Sequence, residues 1–307
     1  MITVEGIIWK STGSWMKVQL ADGQFIEARL RGKLKMLGIR TTHPVAVGDN
    51  VIIDLENEDC VISKILPRQN YIIRKANKAG SEAQIMASNI DMAILVASMV
   101  SPTTSFGFID RFLLCCETFH IPALILLNKA DLMKDSDKEE SLYRMALYRN
   151  LGYLCETVSA LNPEHTSLIS QILAGKRSML AGHSGAGKST WLNLLVPKGS
   201  QKTGMVSNAH QKGTHTTTFA EMFKLPDGGE VIDTPGIREF GIIGLEKNEF
   251  REYFPEFQKW TPACRFNDCL HTHEPGCAVK KALEDGLIAP ERYDSYLSIL
   301  ENQDIMG

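Results

Sequence analysis

Short runs in which apolar and polar residues alternate fill most of the first 66 positions of the chain. Turn residues such as Asp22-Gly23 and Gly48-Asp49 separate the runs. The five runs are Ile2 to Lys10, Trp15 to Leu20, Phe25 to Leu30, Asn50 to Leu55 and Cys60 to Leu66. Five short strands of this kind predict a small closed β-barrel of the OB type over residues 1–68.

A different pattern follows the barrel. Residues 69–88 are polar and basic and predict a linker, whereas residues 89–243 alternate buried apolar runs with segments of helical spacing. The apolar runs predict strands at Asn89 to Ala97, Ala123 to Leu127, Cys155 to Val158, Ser178 to Ala181 and from Val231. Helices are predicted at Phe106 to Phe119, Ser136 to Leu151 (with an apolar stripe that includes Leu142 and Met145) and Lys188 to Val196. This alternation predicts an α/β domain.

The run Ser178 to Ala181 leads into a phosphate-binding pattern, G-x-x-x-x-G-K-[ST]. The residues are Gly182-His183-Ser184-Gly185-Ala186-Gly187-Lys188-Ser189, followed by Thr190. Glycines let successive backbone N–H groups converge on an anion, at the N-terminus of a helix that favours negative charge. Lys188 is expected to reach the β- and γ-phosphates of a nucleotide, and the Ser189 hydroxyl to ligate Mg²⁺. A plain glycine-rich turn is the alternative.

Two further motifs lie at the ends of predicted strands. Asn128-Lys129-Ala130-Asp131 is N-K-x-D, and a carboxylate at Asp131 can accept two hydrogen bonds from guanine, a donor pair that adenine lacks. Asp131 could instead cap the helix that follows. The second motif, Asp233 to Gly236, is D-x-x-G, which can hold Mg²⁺ through water and contact the γ-phosphate.

Together these motifs resemble the P-loop GTPases, although the base-reading motif here precedes the phosphate loop. Ser159-Ala160, after a predicted strand, resembles the short loop that lends a backbone N–H to guanine. The order of the motifs indicates a circularly permuted GTPase domain. Such a permutation is physically allowed because the termini of a compact domain often lie close together.

Cysteines cluster near the C-terminus in the pattern Cys264-x4-Cys269-x-His271-x5-Cys277. Thiolate and imidazole ligands suit tetrahedral Zn²⁺, and four protein ligands leave no open position, so a structural zinc site is predicted. His273 is a rival fourth ligand. Helical patterns follow the cluster, and residues 244–307 are predicted to form an α-helical zinc-binding domain.

The chain resembles the ribosome small subunit-dependent GTPase A family over nearly its whole length. The resemblance rests on the permuted order of the motifs, the cysteine cluster, the run Asp233 to Phe240 (DTPGIREF) and the run Gly213 to Thr218. The resemblance implies a slow GTP hydrolase that the small ribosomal subunit stimulates and that acts late in subunit maturation. It also implies His271 as the fourth zinc ligand, and contact between the barrel and ribosomal RNA.

The run Gly213 to Thr218 resembles the switch motif of that family, in which an arginine usually precedes the histidine; this chain has Thr214 there. Thr217 is the predicted magnesium ligand of the GTP state. Ile237 stands where Ras-like enzymes carry a glutamine that orients the attacking water, and an aliphatic side chain cannot do so. His215 is therefore the predicted group that positions water. A solvated threonine turn and an ordinary surface histidine are the alternatives.

The net charge of −3 conceals an uneven distribution, because basic residues outnumber acidic ones in residues 1–75. Arg29, Arg31, Lys33, Lys35 and Arg40 occur with no acidic residue among them. They predict a basic face for RNA or, alternatively, a charged strand edge that prevents aggregation. The start of the chain has no signal-peptide pattern and no apolar run approaches 18 residues, so a cytoplasmic protein without membrane contact is expected, as a monomer.

The sequence thus predicts three domains that together hydrolyse GTP with Mg²⁺ on the small ribosomal subunit. The alternative is a GTP-gated rRNA-binding protein whose hydrolysis is incidental. A third interpretation, an adenine-nucleotide enzyme, is opposed by Asp131.

Overall fold

The structure is a computed structural model of the 307-residue chain, and it describes residues 2–30, 44–56, 59–74, 84–197, 220–234 and 245–304. In chain order these residues form a β-barrel, an α/β domain and a helical C-terminal region. Within these ranges no helix combines the length and apolar character needed to cross a bilayer.

Five strands close into the N-terminal barrel. They are β1 (Ile2–Ser11), β2 (Trp15–Leu20), β3 (Phe25–Leu30), β4 (Asn50–Glu56) and β5 (Asp59–Ile65). Their order is β1-β2-β3-β5-β4, and β4 pairs again with β1 to complete the ring. Inward-facing side chains such as Ile8, Val18 and Ile53 are fully buried. At Gly6 a Cβ would lie 2.6 Å from Val18 Cγ1, so only glycine permits this close approach of β1 and β2. The predicted OB-type barrel is confirmed.

Residues 69–88, which the sequence predicts to be a linker, contain two strands, β6 (Tyr71–Arg74) and β7 (Gln84–Ser88). The two strands pair antiparallel, and Val47 forms a bridge with Ala87. Ile72 and Ala87 are fully buried in the same core as one face of the α/β domain. This segment is polar in composition, so the sequence suggested a loop. Its few apolar residues are buried only because they pack against distant parts of the folded chain.

Polar contacts attach the barrel to the α/β domain. Lys10 Nζ lies 2.7 Å from Glu221 Oε2 where β1 pairs with a strand of the main sheet. The buried Asp49 carboxylate accepts a hydrogen bond of 2.6 Å from Arg68 Nε and another of 2.6 Å from Ser88 Oγ. Since a buried carboxylate is tolerated only when it is paired, this cluster fixes the position of the barrel.

The α/β domain is built on a six-stranded sheet with helices on both faces. Its strands are β8 (Met92–Ser98), β9 (Ala123–Asn128), β10 (Leu154–Thr157), β11 (Arg177–Ala181), β12 (Glu221–Lys224) and β13 (Glu230–Asp233). Its helices are α1 (Phe106–Thr118), α2 (Asp135–Asn150), α3 (Pro163–Leu173) and α4 (Lys188–Leu195). Helices α1 and α2 pack on one face of the sheet, and α3 and α4 on the other.

The strand order of this sheet is β10-β9-β8-β11-β13-β12, and all its pairs are parallel except β12 with β13. From β8 the chain adds β9 and β10 towards one edge of the sheet, and it then returns to add β11, β13 and β12 on the other side of β8. In open α/β sheets, ligands bind outside the carboxyl ends of the strands at such a switch point. The phosphate-binding pattern follows β11, and Asn128 and Asp233, the first residues of the other two motifs, end β9 and β13 at that edge.

The C-terminal region consists of short 3-10 turns at Lys247–Tyr253 and Thr261–Ala263 and the helices α5 (Pro255–Gln258), α6 (Ala278–Glu284) and α7 (Pro290–Asp304). Its core is aromatic: Phe250, Phe254, Phe257 and Tyr296 are fully buried. Leu114 of α1 belongs to the same core, so the region packs directly on the α/β domain. The helical C-terminus predicted from the sequence is confirmed.

A buried ionic cluster reinforces that contact. The Arg292 guanidinium of α7 donates to Asp110 Oδ1 of α1 at 2.6 Å and to Glu256 Oε1 at 2.6 Å. Tyr148 of α2 also donates to Asp110, at 2.8 Å. Burial raises the pKa of Asp110, and the Arg292 charge opposes that rise.

Candidate functional site

The predicted phosphate loop joins β11 to α4, as its sequence context required. Gly182 has φ +137°, and a Cβ there would lie 2.3 Å from the carbonyl oxygen of Val96. Gly187 has φ +108°, and its Cβ would lie 2.3 Å from Asn128 Nδ2. Neither position can hold a larger residue in this conformation. The loop therefore passes close to β8 and β9 and ends at a helix N-terminus suited to an anion.

The side chain of Lys188 reaches back over the loop. Its Nζ donates to the carbonyl oxygens of Gly182 at 2.5 Å and His183 at 3.0 Å. Burial lowers the pKa of Lys188 and raises the pKa of Asp233, and each charge opposes the shift of the other. Lys188 and Asp233 thus lie close enough to interact, as expected if both serve one phosphate and its metal ion.

The base-reading motif contacts the phosphate loop directly. Asn128 Nδ2 donates to the carbonyl oxygen of Ala186 at 2.9 Å. Asn128 Oδ1 is buried and has no hydrogen-bond partner among the described residues, which marks an incomplete polar site. Lys129 adopts a left-handed backbone, φ +67°, and its ammonium group donates to the carbonyl oxygen of Ser101.

Asp131 and Ser159 meet although 28 positions separate them in the chain. Ser159 Oγ donates to Asp131 Oδ1 at 2.5 Å, and the Asp131 side chain is otherwise exposed. The backbone N–H of Ala130 donates to the carbonyl oxygen of Val158 at 3.0 Å, which joins the two loops. Asp131 and Ser159, with the adjoining Ala160, therefore form one edge of the predicted nucleotide site.

Two contacts, one at the Ser159 loop and one at the phosphate loop, involve residues that sequence reasoning missed. The N–H of Ser159 donates to His165 Nδ1 at 2.9 Å. Thr104 Oγ1 lies 2.5 Å from Nε2 of His183 in the phosphate loop, and it accepts a hydrogen bond from Ser98 N at 2.9 Å. The missed residues are His165, in the first turn of a helix, and Thr104, in a loop. Neither belongs to a motif, so nothing in their type or spacing indicated these contacts.

The remaining predicted nucleotide residues divide into two groups. Ser184, Gly185, Ser189 and Thr190 are exposed along the phosphate loop and the first turn of α4, where a ligand can reach them. His215, Thr217 and Gly236 lie outside the described residues, as do Thr214, Ile237 and the basic residues 31–40. For magnesium, the described part of the chain offers Ser189 and Asp233, and a hydroxyl and a carboxylate are oxygen ligands that this hard cation prefers.

The cysteine cluster is preformed. Ligand atoms of Cys264, Cys269, His271 and Cys277 all lie within 4.8 Å of one another. His271 Nδ1 is 3.4 Å from Cys277 Sγ and 3.6 Å from Cys264 Sγ, separations compatible with the edges of a tetrahedral zinc site. The set could hold one zinc ion.

The surroundings of the cluster favour metal binding. Burial lowers the pKa of His271 to about 4, which keeps the imidazole neutral, and it raises the pKa of Cys269 and of Cys277. A bound cation would stabilise the thiolates that this burial disfavours. Thr261 Oγ1 lies 3.3 Å from His271 Nε2 and orients the ring. The rival ligand His273 is exposed and contacts Thr272 Oγ1 at 3.0 Å instead.

Comparison with known proteins agrees with this geometry. The family model for the RsgA GTPase matches residues 65–243, and that for the RsgA N-terminal domain matches residues 5–62. The chain is 45% identical over 305 residues to the small ribosomal subunit biogenesis GTPase RsgA of Christiangramia forsetii, covering 98% of this chain and 97% of that one. The namesake protein of Bacteroides fragilis strain ATCC 25285 is 44% identical over 302 residues, with the same coverage.

Two solved structures share the fold over nearly the full length. The crystal structure of YjeQ from Thermotoga maritima superposes with a TM-score of 0.76 at 31% identity and covers 98% of each chain. YloQ, described as a circularly permuted GTPase, gives a TM-score of 0.72 at 29% identity and covers 98% of this chain and 95% of that one. The predicted family, the permuted GTPase fold and the enzyme class are confirmed. The chain belongs to the RsgA GTPase family.

Proposed function

We propose that this GTPase binds the small ribosomal subunit, acts late in the maturation of that subunit, and hydrolyses GTP faster when it is bound there. Relatives in C. forsetii and B. fragilis are named small ribosomal subunit biogenesis GTPases and align over 97% of their length. On this proposal the chain works in the cytoplasm as a monomer.

The contact between Asn128 and Ala186 carries the nucleotide part of the proposal. It holds the N-K-x-D motif against the phosphate loop, so Asp131 and Lys188 lie at two ends of one site. One carboxylate oxygen of Asp131 accepts a hydrogen bond from Ser159, and the side chain is exposed to solvent, where a nucleotide base can reach it. A carboxylate held in this way selects guanine, because N1–H and the exocyclic amine are both donors.

The residues of the chain divide the work of hydrolysis. Backbone N–H groups of the phosphate loop and Lys188 neutralise the phosphates, and the site aligns the γ-phosphoryl group with the attacking water. Magnesium, when bound at Ser189, Asp233 and Thr217, supplies charge neutralisation of the β- and γ-phosphate oxygens. His215 positions the water, since Ile237 cannot. His215→Ala should abolish subunit-stimulated turnover and leave GTP binding intact; unchanged stimulated turnover would refute this role.

The outer face of β2 and β3 supports an RNA-binding role for the barrel. Trp15 and Phe25 are 46% and 42% exposed. Lys17 lies 4.5 Å from the Phe25 ring centroid, and Arg29 lies 6.0 Å from that of Trp15. Exposed aromatic rings beside cations are the groups that stack bases and neutralise a backbone. Arg29 also pairs with Asp59 at 2.5 Å, so the aromatic rings are the stronger part of this argument.

The C-terminal cluster is proposed to hold one structural Zn²⁺ through Cys264, Cys269, His271 and Cys277. With four protein ligands the ion has no open position for a reacting water. Its role is to stabilise a short region whose aromatic core contacts α1.

Steady-state GTP hydrolysis, measured with and without purified small subunits, tests the proposal. We expect slow turnover by the chain alone and a large increase with the subunit, abolished by Lys188→Ala. If the subunit binds only in the presence of GTP but does not change turnover, the chain is instead a GTP-gated RNA-binding protein. Equal subunit affinity with GDP and with a non-hydrolysable GTP analogue would refute the nucleotide control of binding.

A further inference from the structure

His165 lies in the first turn of α3, outside every motif that the nucleotide site uses. Its Nδ1 accepts the backbone N–H of Ser159 at 2.9 Å, so this nitrogen carries no proton. The helix does not need His165 as a cap: Asn162 accepts the N–H of Glu164 at 2.9 Å and Pro163 occupies the first position. The imidazole therefore serves as a hydrogen-bond acceptor for the Ser159 loop, which precedes the helix, and not as a helix cap.

Ser159 connects this histidine to the base-reading carboxylate. Ser159 is 5% exposed, and its hydroxyl donates to Asp131 Oδ1 at 2.5 Å while accepting the N–H of Leu161 at 3.1 Å. A buried backbone N–H without an acceptor is unfavourable, so the loop would turn to rehydrate it if His165 were lost. That movement would shift the Ser159 hydroxyl away from Asp131 and turn the adjoining N–H of Ala160.

We infer that His165 is a positioning residue that sets the preference of the site for guanine. The inference rests on the proposed guanine site. By taking up the N–H of Ser159, His165 orients the loop so that the N–H of Ala160 faces O6 of the base, and the Ser159 hydroxyl holds Asp131 for N1–H and the exocyclic amine. His165 itself touches neither the base nor the phosphates; it acts through the loop.

Base preference separates this role from a general structural one. The phosphate loop binds the diphosphate of GDP and of ADP alike, whereas Asp131 and the Ser159-Ala160 loop contact only the base. A displaced loop therefore weakens GDP binding and leaves ADP binding unchanged. A damaged fold weakens both.

The experiment measures dissociation constants for GDP and ADP with the full-length chain, by displacement of a fluorescent guanine nucleotide or by calorimetry. His165→Phe keeps the ring and removes the acceptor. His165→Asn restores an acceptor at nearly the same distance from the backbone. Ser167→Ala, an exposed position on the same helix, is the matched control.

We expect His165→Phe to weaken GDP binding about tenfold, with ADP binding unchanged, and His165→Asn to recover most of the loss. Unchanged GDP selectivity in His165→Phe would overturn the inference, as would an equal loss for both nucleotides. If the wild-type chain bound GDP and ADP equally, the guanine assignment itself would fail, and this inference with it. The wild-type measurement thus tells the two failures apart.

Discussion

Arg292→Met removes the cation from the buried ionic cluster between the C-terminal region and α1. Arg292 is 1% exposed, and its guanidinium makes three hydrogen bonds to carboxylates, one to Asp110 at 2.6 Å and two to Glu256 at 2.6 and 3.2 Å. Its carbon Cζ also lies 4.7 Å from the Phe254 ring centroid. Methionine conserves most of the apolar volume, so the change tests the charge rather than the packing.

The expected cost is large because two carboxylates stay behind. Breaking a buried ion pair by removing one partner destabilises a protein by about 3–5 kcal/mol, since the other charge is left uncompensated. Asp110 is fully buried, and its Oδ2 has no hydrogen-bond partner among the described residues even in the wild type. We therefore expect the upper part of that range, with the C-terminal region unfolding at lower urea than the remainder of the chain.

The destabilisation should depend on pH. Burial already raises the pKa of Asp110 in the folded state against the opposing charge of Arg292, and without Arg292 the rise is greater. A carboxyl group whose folded pKa is raised contributes stability below its unfolded pKa, and that contribution is lost as the pH rises through the folded value. The cost of Arg292→Met should therefore be larger at pH 8 than at pH 5.

Urea unfolding followed by aromatic fluorescence and circular dichroism at both pH values measures this cost. Lys138→Met is the matched control, because Lys138 pairs with Asp135 at 3.0 Å on the surface and should contribute less than about 1 kcal/mol. If Arg292→Met cost no more than the control, or cost more at pH 5 than at pH 8, the reasoning about buried charge would be wrong.

Three further changes test the site. Asp131→Asn should weaken GTP binding roughly a hundredfold and move the preference towards xanthine nucleotides, because the amide can donate where the carboxylate only accepts; competition assays with both nucleotides measure this. Thr104→Val removes the hydroxyl bound to His183 and should raise the GTP dissociation constant about fivefold, and an unchanged constant would exclude a role in holding the phosphate loop. Cys277→Ala should abolish the binding of one zinc ion per chain and destabilise the C-terminal region by several kcal/mol. Metal analysis and thermal unfolding measure these two effects, and full zinc retention would contradict the ligand set.

Local patterns in the sequence predicted the barrel strands and the position of the glycine-rich loop well. The strands Trp15–Leu20 and Phe25–Leu30 have the limits that alternation indicates, because each has one face in the barrel core and one outside. The phosphate loop was equally predictable, since the left-handed backbone at Gly182 and Gly187 admits only glycine. In both cases the neighbours along the chain determine the structure.

Contacts between distant residues were not predictable in this way. Helix α2 buries Ser141, Arg144 and Tyr148, whereas Leu142 of the predicted apolar stripe is 59% exposed. Arg144 is buried because its guanidinium donates to the carbonyl oxygen of Thr104 at 2.6 Å, and Tyr148 because it binds Asp110. Polar residues whose partners lie on other elements look like surface residues in a sequence. His165 was missed for the same reason.

Helix α1 is in contact with both the nucleotide site and the C-terminal region. At its first turn the Phe108 ring lies 5.4 Å from the His183 ring, and further along it Leu114 and Asp110 join the C-terminal core and Arg292. Packed cores and buried ion pairs do not slide in small steps. The C-terminal region should therefore turn with α1 as one rigid body when the nucleotide changes. Spin labels introduced at Gly107 and Asp294 should keep one separation with GDP and with a GTP analogue, and a difference between the two states would contradict this coupling.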